Sequence, residues 1–241
     1  MSKLLHRLKT MAKSAVQQRL NQAGYEIVQR PVTRFLDDCG TTVVLDVGAS
    51  VGGYGSDLRQ HGYKGRIVSF EPLPDQFEKL KICSAARPPW TAVNCALGSK
   101  SGTAMIQRAS NGDSSSMLPM LDRSMQAAPS IRPAGEVEVK VGRLDDIFSE
   151  HCGAADRVFL KMDVQGFEME VLAGAEASLP RVCGIQSELS LVPLYAGAPC
   201  LEDVIRHLRA KGFHPVWFLN GFKDTKTNEL LQVDGIFMRS A

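Results

Sequence analysis

Two stretches of this 241-residue chain carry residues whose types and spacing could do chemistry. In the first, Asp46, Gly48 and Gly52 lie within and just beyond residues 43–47, an apolar run that predicts a buried parallel strand. A strand that turns through glycines into a helix presents backbone N–H groups to a ligand, and glycine lets that ligand approach closely. A second apolar run ends at Glu71, whose carboxylate could accept hydrogen bonds from ribose hydroxyls. Together these features predict a cofactor that contains a nucleoside.

Three patterns compete for the glycine loop. The dinucleotide pattern G-x-G-x-x-G fails because Ser50 replaces its second glycine. The hydrolase elbow G-x-S-x-G matches residues 48–52, with His207 or His214 as the candidate base. The pattern D-x-G-x-x-x-G, formed by Asp46, Gly48 and Gly52, resembles the S-adenosylmethionine loop of class I methyltransferases, and Glu71 favours it. A glycine turn that binds nothing is the remaining alternative.

The second stretch, residues 161–168, contains Lys161, Asp163 and Glu168 at the end of a predicted strand. A lysine and a carboxylate there could bind an acceptor hydroxyl, take its proton or hold a metal ion. A salt bridge beside a helix N-terminus is the structural alternative. Glu188 ends the next predicted strand, so Asp163 and Glu188 should face one crevice. They could hold a divalent cation such as Mg²⁺; in the metal-free alternative Asp163 is the base and Lys161 stabilises its charge.

Alternating strand and helix patterns predict an α/β fold with a doubly wound sheet, mostly parallel, an antiparallel final strand and helices on both faces. We divide the chain into an N-terminal helical segment, 1–39, and a methyltransferase domain, 40–241. Within the domain, residues 108–136 are rich in Ser, Pro, Gly and Met and predict a flexible insert or lid, in which Ser115 could contact cofactor or acceptor. By analogy with class I sites, Asn94 and Ala96 should lie near the adenine ring.

Composition narrows the function classes. Apolar residues make up 44% of the chain and the net charge is +2, which indicates a globular protein without an overall affinity for nucleic acid. The six cysteines form no C-x-x-C pair, and neither a signal peptide nor a long apolar run is evident, so we expect a cytoplasmic protein. The basic segment 3–19 has apolar residues at helical spacing. It predicts a helix packed beside the sheet or, alternatively, a peripheral contact with an anionic membrane or a partner.

Several motifs together resemble the FkbM family of methyltransferases. They are LDVGA at 45–49, FEP at 70–72, NCALG at 94–98, SSS at 114–116, RLDDI at 143–147, KMDVQGFE at 161–168, and Glu188. The similarity spans residues 24–239. It implies S-adenosylmethionine-dependent O-methylation, often of a hydroxyl on a sugar, glycolipid or natural product. The family motif commonly reads K-x-D-x-E-G-x-E, and its x before the last glutamate is often histidine. In this chain Gln165 replaces the first glutamate and Phe167 stands at the position of that histidine.

These considerations lead to one assignment of site residues. Asp163, Lys161 and Glu188 are predicted to be catalytic, and Asp163 and Glu188 to be the ligands of any metal ion. The residues assigned to cofactor binding are Asp46, Gly48, Ala49, Gly52, Glu71, Asn94, Ala96 and Ser115. A module on the same fold that binds S-adenosylmethionine without turnover is the non-enzymatic alternative.

Overall fold

A computed structural model describes residues 18–20, 22–23 and 32–239. The basic N-terminal segment predicted to form a helix therefore lies almost entirely outside the described residues, and the prediction of a membrane contact there stays a prediction. No described helix has the length and apolar composition needed to cross a bilayer. The division into residues 1–39 and 40–241 also stays a prediction.

The described residues form an α/β fold with a seven-stranded main sheet and a small three-stranded sheet. The strands are β1 (Val43–Val47), β2 (Arg66–Phe70), β3 (Trp90–Val93), β4 (Ala96–Leu97), β5 (Gly102–Ala109), β6 (Pro133–Gly142), β7 (Val158–Met162), β8 (Val182–Ser190), β9 (Phe213–Asn220) and β10 (Gln232–Arg239). The helices are α1 (Val32–Asp38), α2 (Gly53–Gln60), α3 (Pro74–Ala85), α4 (Asp122–Ala127), α5 (Leu144–His151), α6 (Glu168–Ala173) and α7 (Leu201–Ala210).

The main sheet has the order β3-β2-β1-β7-β8-β10-β9. Its strands are parallel except for β10, which runs antiparallel to both β8 and β9. This order confirms the predicted doubly wound sheet with an antiparallel final strand. The chain reverses direction across the sheet between β1 and β7, and in open α/β sheets the crevice at such a switch point binds ligands.

Two apolar cores show why helices cover both faces of the sheet. Side chains alternate between the faces of a strand, so Val43 and Leu45 of β1 lie on one face and Val44 lies on the other. The first face packs against helices α5, α6 and α7. The second packs against α1, α2 and α3. All five residues of β1 are buried, as the apolar run predicted.

The structure differs from the prediction in two places that matter for the site. The alternating pattern of residues 90–97 predicts one strand, but the strand is interrupted at Asn94, whose side-chain nitrogen donates to the carbonyl oxygens of Glu71 and Pro72. Its second part, β4, therefore leaves the main sheet and pairs with β6. The apolar spacing of residues 166–179 predicts one helix, but α6 covers only Glu168–Ala173, since Gly166 has φ +96°, outside the helical region, and Gly174 is the C-cap.

The insert, residues 108–136, is fastened to the domain along its length. The guanidinium of Arg123 in α4 pairs with the carboxylates of Asp224 and Glu229, at 2.5 Å each. The hydroxyl of Ser116 donates to the carbonyl oxygen of Gln165 at 2.7 Å. The patterns of residues 103–107 and 137–141, on either side of the insert, predict the two strands of a hairpin, and the antiparallel pairing of β5 with β6 confirms them. The flexibility of the insert stays a prediction.

Candidate cofactor and acceptor site

A cavity of ≈ 350 Å³ lies at the carboxyl ends of β1, β2 and β7. This volume falls within the range of small-molecule sites. Its wall contains the predicted residues Gly48, Ala49, Glu71, Ala96, Ser115, Lys161 and Asp163, and also Tyr54, Gln76, Asp113, Phe167, Gln186 and Asp234. Residues far apart in the sequence therefore meet at the edge of the sheet where the pattern of strands predicted a site.

The glycine loop is fastened to the end of β2. The N–H groups of Gly48 and Ala49 both donate to the carbonyl oxygen of Phe70, and that of Ser50 donates to Glu71 Oε2 at 2.8 Å. These three N–H groups already have hydrogen-bond partners within the protein, so the expectation that they are unpaired and available to a ligand is wrong. Gly48 is needed for another reason: its φ is +74°, and a Cβ there would lie 1.8 Å from the carbonyl oxygen of Asp163.

Glu71 is the acidic group best placed for a ribose. Its Oε1 accepts from the backbone of Leu73 and its Oε2 from Ser50, both at 2.8 Å. Each carboxylate oxygen has two lone pairs, so one on each oxygen stays available to a ligand in the cavity. Burial raises the pKa of Glu71 to about 7, against the lowering effect of its two backbone hydrogen bonds.

Asp46 has a structural role in the described protein. Its side chain is completely buried, is absent from the cavity wall and accepts from Ser69 Oγ at 2.8 Å. Its second oxygen lies 3.1 Å from Lys161 Nζ. Asp46 therefore anchors Lys161 next to the cavity, and a direct contact between Asp46 and the cofactor stays a prediction.

Lys161 carries the positive charge of the site. Its Nζ donates to the carbonyl oxygen of Gly48 at 2.9 Å and lies 3.7 Å from Asp163 Oδ2. Burial acts to lower the pKa of Lys161, but the carboxylates of Asp46 and Asp163 outweigh it and hold the pKa above its usual value. Lys161 therefore remains an ammonium group and cannot accept a proton from a substrate.

Besides Asp46, three further predicted residues lie outside the cavity wall. Asn94 is exposed, and its amide nitrogen donates to the backbone carbonyl oxygens just beyond β2, so a contact between Asn94 and adenine stays a prediction. Gly52 has φ +90° and precedes α2, where an added Cβ would lie 3.1 Å from Trp90. Glu188 is half-buried, and its Oε2 accepts from the amides of Gln165 and Gln232, both at 2.8 Å, which does not support a direct catalytic role.

The predicted metal site contains an amide where a cation would lie. Gln165 Nε2 donates to Asp163 Oδ1 at 2.7 Å and to Glu188 Oε2 at 2.8 Å, so it bridges the two proposed ligands. Among the described residues, no group of three or more His, Cys, Asp and Glu side chains is arranged to hold a metal ion. The geometry therefore does not support a divalent cation at this position.

Comparison with known proteins identifies the family. The model of the methyltransferase FkbM domain matches residues 46–215, well over half of the chain. The chain belongs to the FkbM methyltransferase family. This confirms the resemblance found in the sequence, and with it the class of S-adenosylmethionine-dependent methyltransferases.

Individual relatives are distant. The chain is 27% identical over 170 residues to the 2-O-methyltransferase NoeI of Sinorhizobium fredii, covering 68% of this chain and 69% of that protein. It is 25% identical over 174 residues to the methyltransferase sdnD of Sordaria araneosa, covering 63% and 64% respectively. The chain therefore spans about two thirds of the length of these curated relatives.

Solved structures show more remote likenesses. Magnesium protoporphyrin IX methyltransferase of Synechocystis, with bound S-adenosylmethionine, is 13% identical with a TM-score of 0.46, over 95% of this chain and 82% of that one. A Burkholderia thailandensis N1-methyltransferase with bound S-adenosylhomocysteine is 13% identical with a TM-score of 0.45, over 100% and 90%. Such values carry no argument about the site, so the fold class rests on the strand order given above.

The cavity of this FkbM-family chain fits S-adenosylmethionine in its donor and acceptor groups. Glu71 offers lone pairs to ribose hydroxyls, and the apolar side chains of Leu97 and Ile106 line the same cavity. Gln76 is buried, and its Oε1 has no hydrogen-bond donor within the described part of the chain. A buried acceptor without a partner is costly, and a ligand N–H or O–H group that reached it would remove that cost.

Sequence reasoning missed Gln76, Gln186 and Asp234. Gln186 is directly paired with Lys161 on the neighbouring strand, and its Oε1 accepts from the hydroxyl of Tyr54 at 3.1 Å. Asp234 lies on β10, and burial raises its pKa. No motif marks these residues. The usable signal for Gln186 and Asp234 is a polar side chain within a predicted buried strand.

The two histidines proposed as the base of the hydrolase alternative, His207 and His214, do not lie beside Ser50. The hydroxyl of Ser50 donates to Asp113 Oδ1 at 2.6 Å. His207 lies at the end of α7, where its Nε2 is 4.0 Å from Glu176, and His214 lies at the start of β9. Because β9 is parallel to β8, both histidines lie near the opposite edge of the sheet from Ser50.

Proposed function

We propose that this chain is an S-adenosylmethionine-dependent O-methyltransferase that acts on a hydroxyl of a small molecule, a sugar of a glycan or glycolipid or a natural product. The observation that supports it most is the continuity of one cavity, which reaches from Glu71 at the end of β2 to Asp163 at the end of β7. One end offers groups suited to a nucleoside. The other offers a carboxylate suited to a hydroxyl.

Methyl transfer to oxygen needs a place for the hydroxyl proton. When bound, S-adenosylmethionine supplies an electrophilic methyl group. Asp163 is the proposed base: its side chain is 38% exposed and it lines the cavity, so an acceptor hydroxyl can reach it. The hydroxyl proton of the acceptor passes to Asp163 as the acceptor oxygen bonds to the methyl carbon. The bond between that carbon and the cofactor's sulfur would break, and S-adenosylhomocysteine would be the leaving group. Lys161 keeps the Asp163 side chain near a positive charge throughout.

The choice of oxygen as the acceptor atom is supported by a relative that is named a 2-O-methyltransferase. It is also supported by the polar side chains of Gln186 and Asp234, which can accept hydrogen bonds from further hydroxyls of a polyol. A sugar presents several hydroxyls at once, so it suits this lining better than an apolar alcohol does.

The test is incubation with S-adenosylmethionine labelled in its methyl group and a panel of sugars, glycolipids and hydroxylated natural products. Label should enter an acceptor through a base-stable C–O bond. Asp163→Asn should lower kcat by about a hundredfold or more, in line with loss of a general base, and should change the Kd of S-adenosylhomocysteine by less than about twofold. Cofactor binding without turnover on any acceptor would favour the non-catalytic module, and label on nitrogen would overturn the choice of oxygen.

A further inference from the structure

Both ends of the Gln165 side-chain amide and its backbone carbonyl oxygen are engaged in hydrogen bonds. Its Nε2 donates to Asp163 and to Glu188, its Oε1 accepts from the hydroxyl of Tyr195 at 2.7 Å, and its carbonyl oxygen accepts from Ser116. An amide with both ends engaged has one orientation, whereas a free amide can rotate by half a turn. Gln165 is therefore a fixed donor between two acids.

The backbone at Gln165 is also unusual. Its φ is +55°, a left-handed conformation that residues other than glycine rarely adopt, and Gly166 follows with φ +96°. Such a conformation persists only where the surrounding structure stabilises it. Here the stabilising contacts come from the insert, through Ser116, and from the segment after β8, through Tyr195.

Tyr195 sets the direction of the amide. Its side chain is buried, and burial raises the pKa of its phenol, so the hydroxyl keeps its proton. The phenol has one proton and two acceptors within reach, Gln165 Oε1 at 2.7 Å and the carbonyl oxygen of Ser114 at 3.1 Å. Donation to the nearer acceptor, Oε1, turns the NH₂ group of Gln165 towards the two carboxylates. With Asp163 Oδ1 engaged in this way, Asp163 Oδ2 is the oxygen beside Lys161.

We propose that Gln165 is a positioning residue that takes the place of a divalent cation between Asp163 and Glu188, with Tyr195 fixing its amide. Burial and the charge on Asp163 raise the pKa of Glu188 well above its usual value, so two ionised carboxylates here are unfavourable. A protein can relieve such repulsion with a metal ion or with a hydrogen-bond donor. This chain uses the amide donor. The amide holds the Asp163 carboxylate in one orientation, which serves the base in the function proposed above.

The first experiment replaces the amide by a group of the same shape that cannot donate. In Gln165→Glu three carboxylates would share the position, so a divalent cation should bind there. We expect millimolar Mg²⁺ or Mn²⁺ to raise the melting temperature of this variant by about 3 °C or more relative to EDTA, and to leave the wild-type melting temperature unchanged. Gln60→Glu, an exposed change at the end of α2, is the matched control and should show no response.

Two outcomes of that experiment overturn the proposal. One is a variant whose melting temperature does not respond to either cation. The other is a wild-type protein that is itself stabilised, because a cation would then bind with the glutamine in place. Both outcomes are read from melting temperatures and need no turnover. The result is therefore independent of the methyltransferase activity proposed above and of whether an acceptor is found.

The second experiment asks whether Tyr195 acts through Gln165. Tyr195→Phe should lower kcat by about tenfold, because the amide is then free to rotate, while KM for the cofactor changes by less than about twofold. In a Gln165→Leu background the same change should have no further effect on kcat. Equal effects of Tyr195→Phe in both backgrounds would show that Tyr195 acts independently, and the proposal would fail on that point.

Discussion

The backbone N–H of Ser50 donates to the carboxylate of Glu71, with 2.8 Å between the nitrogen and Oε2. This bond joins the glycine loop after β1 to the end of β2, and it gives Glu71 two roles. The carboxylate shapes the loop from beneath and faces the cavity with the lone pairs that remain. The protonation state of Glu71 should therefore affect cofactor binding.

Cofactor affinity should rise with pH through neutrality. The pKa of Glu71 in the ligand-free protein is raised to about 7 from 4.5, so the folded state holds this proton more tightly than the unfolded chain does. The stability that this proton contributes is complete below about pH 4.5 and is lost as the pH rises through 7. Ribose hydroxyls prefer the ionised carboxylate, so calorimetry should find S-adenosylhomocysteine bound about tenfold more weakly at pH 6 than at pH 8.

Two variants separate Glu71 from its neighbours. Glu71→Gln should bind the ligand more weakly at pH 8 and lose the pH dependence. Burial also raises the pKa of Glu168 to about 7, but Glu168 accepts from the N–H groups of Val164 and Gly166 and lies outside the cavity wall. Glu168→Gln should keep the pH dependence of binding. If this variant lost the pH dependence, Glu168 and not Glu71 would be the acid responsible.

Gly48→Ala should disrupt the site far more than a left-handed conformation alone would. The added Cβ would lie 1.8 Å from the carbonyl oxygen of Asp163, so β1 and β7 would have to move apart. We expect a loss of about 3 kcal/mol in the free energy of unfolding and no detectable cofactor binding. Gly40→Ala is the control, because Gly40 has φ +61° but no atom within 4 Å of the added Cβ. Denaturant titration should give it a loss of about 1 kcal/mol.

Lys161 and Asp46 should be strongly coupled. The Asp46 side chain is completely buried, so Lys161→Met leaves a buried carboxylate without its cation and should cost about 3–5 kcal/mol. Asp46→Asn together with Lys161→Met should cost clearly less than the sum of the single changes, because no charge is then buried alone. Additive losses in urea unfolding would mean that the ion pair contributes nothing beyond its separate contacts.

Ser50 should affect the rate at which the cofactor dissociates, and it should not act as the nucleophile of a hydrolase. Its hydroxyl donates to Asp113 of the insert at 2.6 Å, which ties the loop to the segment that covers the cavity. Ser50→Ala should therefore raise the dissociation rate of S-adenosylhomocysteine about two- to tenfold, as loss of one exposed hydrogen bond would, with methyl transfer retained. Asp113→Asn should show a smaller change. Rapid labelling of Ser50 by a fluorophosphonate would instead support the hydrolase.

The sequence by itself determined the fold class and the family, and seven of its eleven predicted site residues lie on the cavity wall. Apolar runs such as 43–47 specify buried strands, and parallel strands place their carboxyl ends at one edge. The positions of Gly48, Glu71, Lys161 and Asp163 at that edge follow from their places at or near strand ends. These inferences depend on local pattern, which a single sequence records.

Only the tertiary structure decided what each polar group is bonded to. Asp46 and Asn94 were assigned to the cofactor by position, yet the first pairs with Lys161 and the second braces the backbone after Glu71. In the sequence, Gln165 only replaces a glutamate of the family motif. In the structure, its amide nitrogen donates to both Asp163 and Glu188. The physical reason is that a hydrogen bond depends on distance and direction at the scale of an ångström, and these are set by packing between segments that are remote in the sequence.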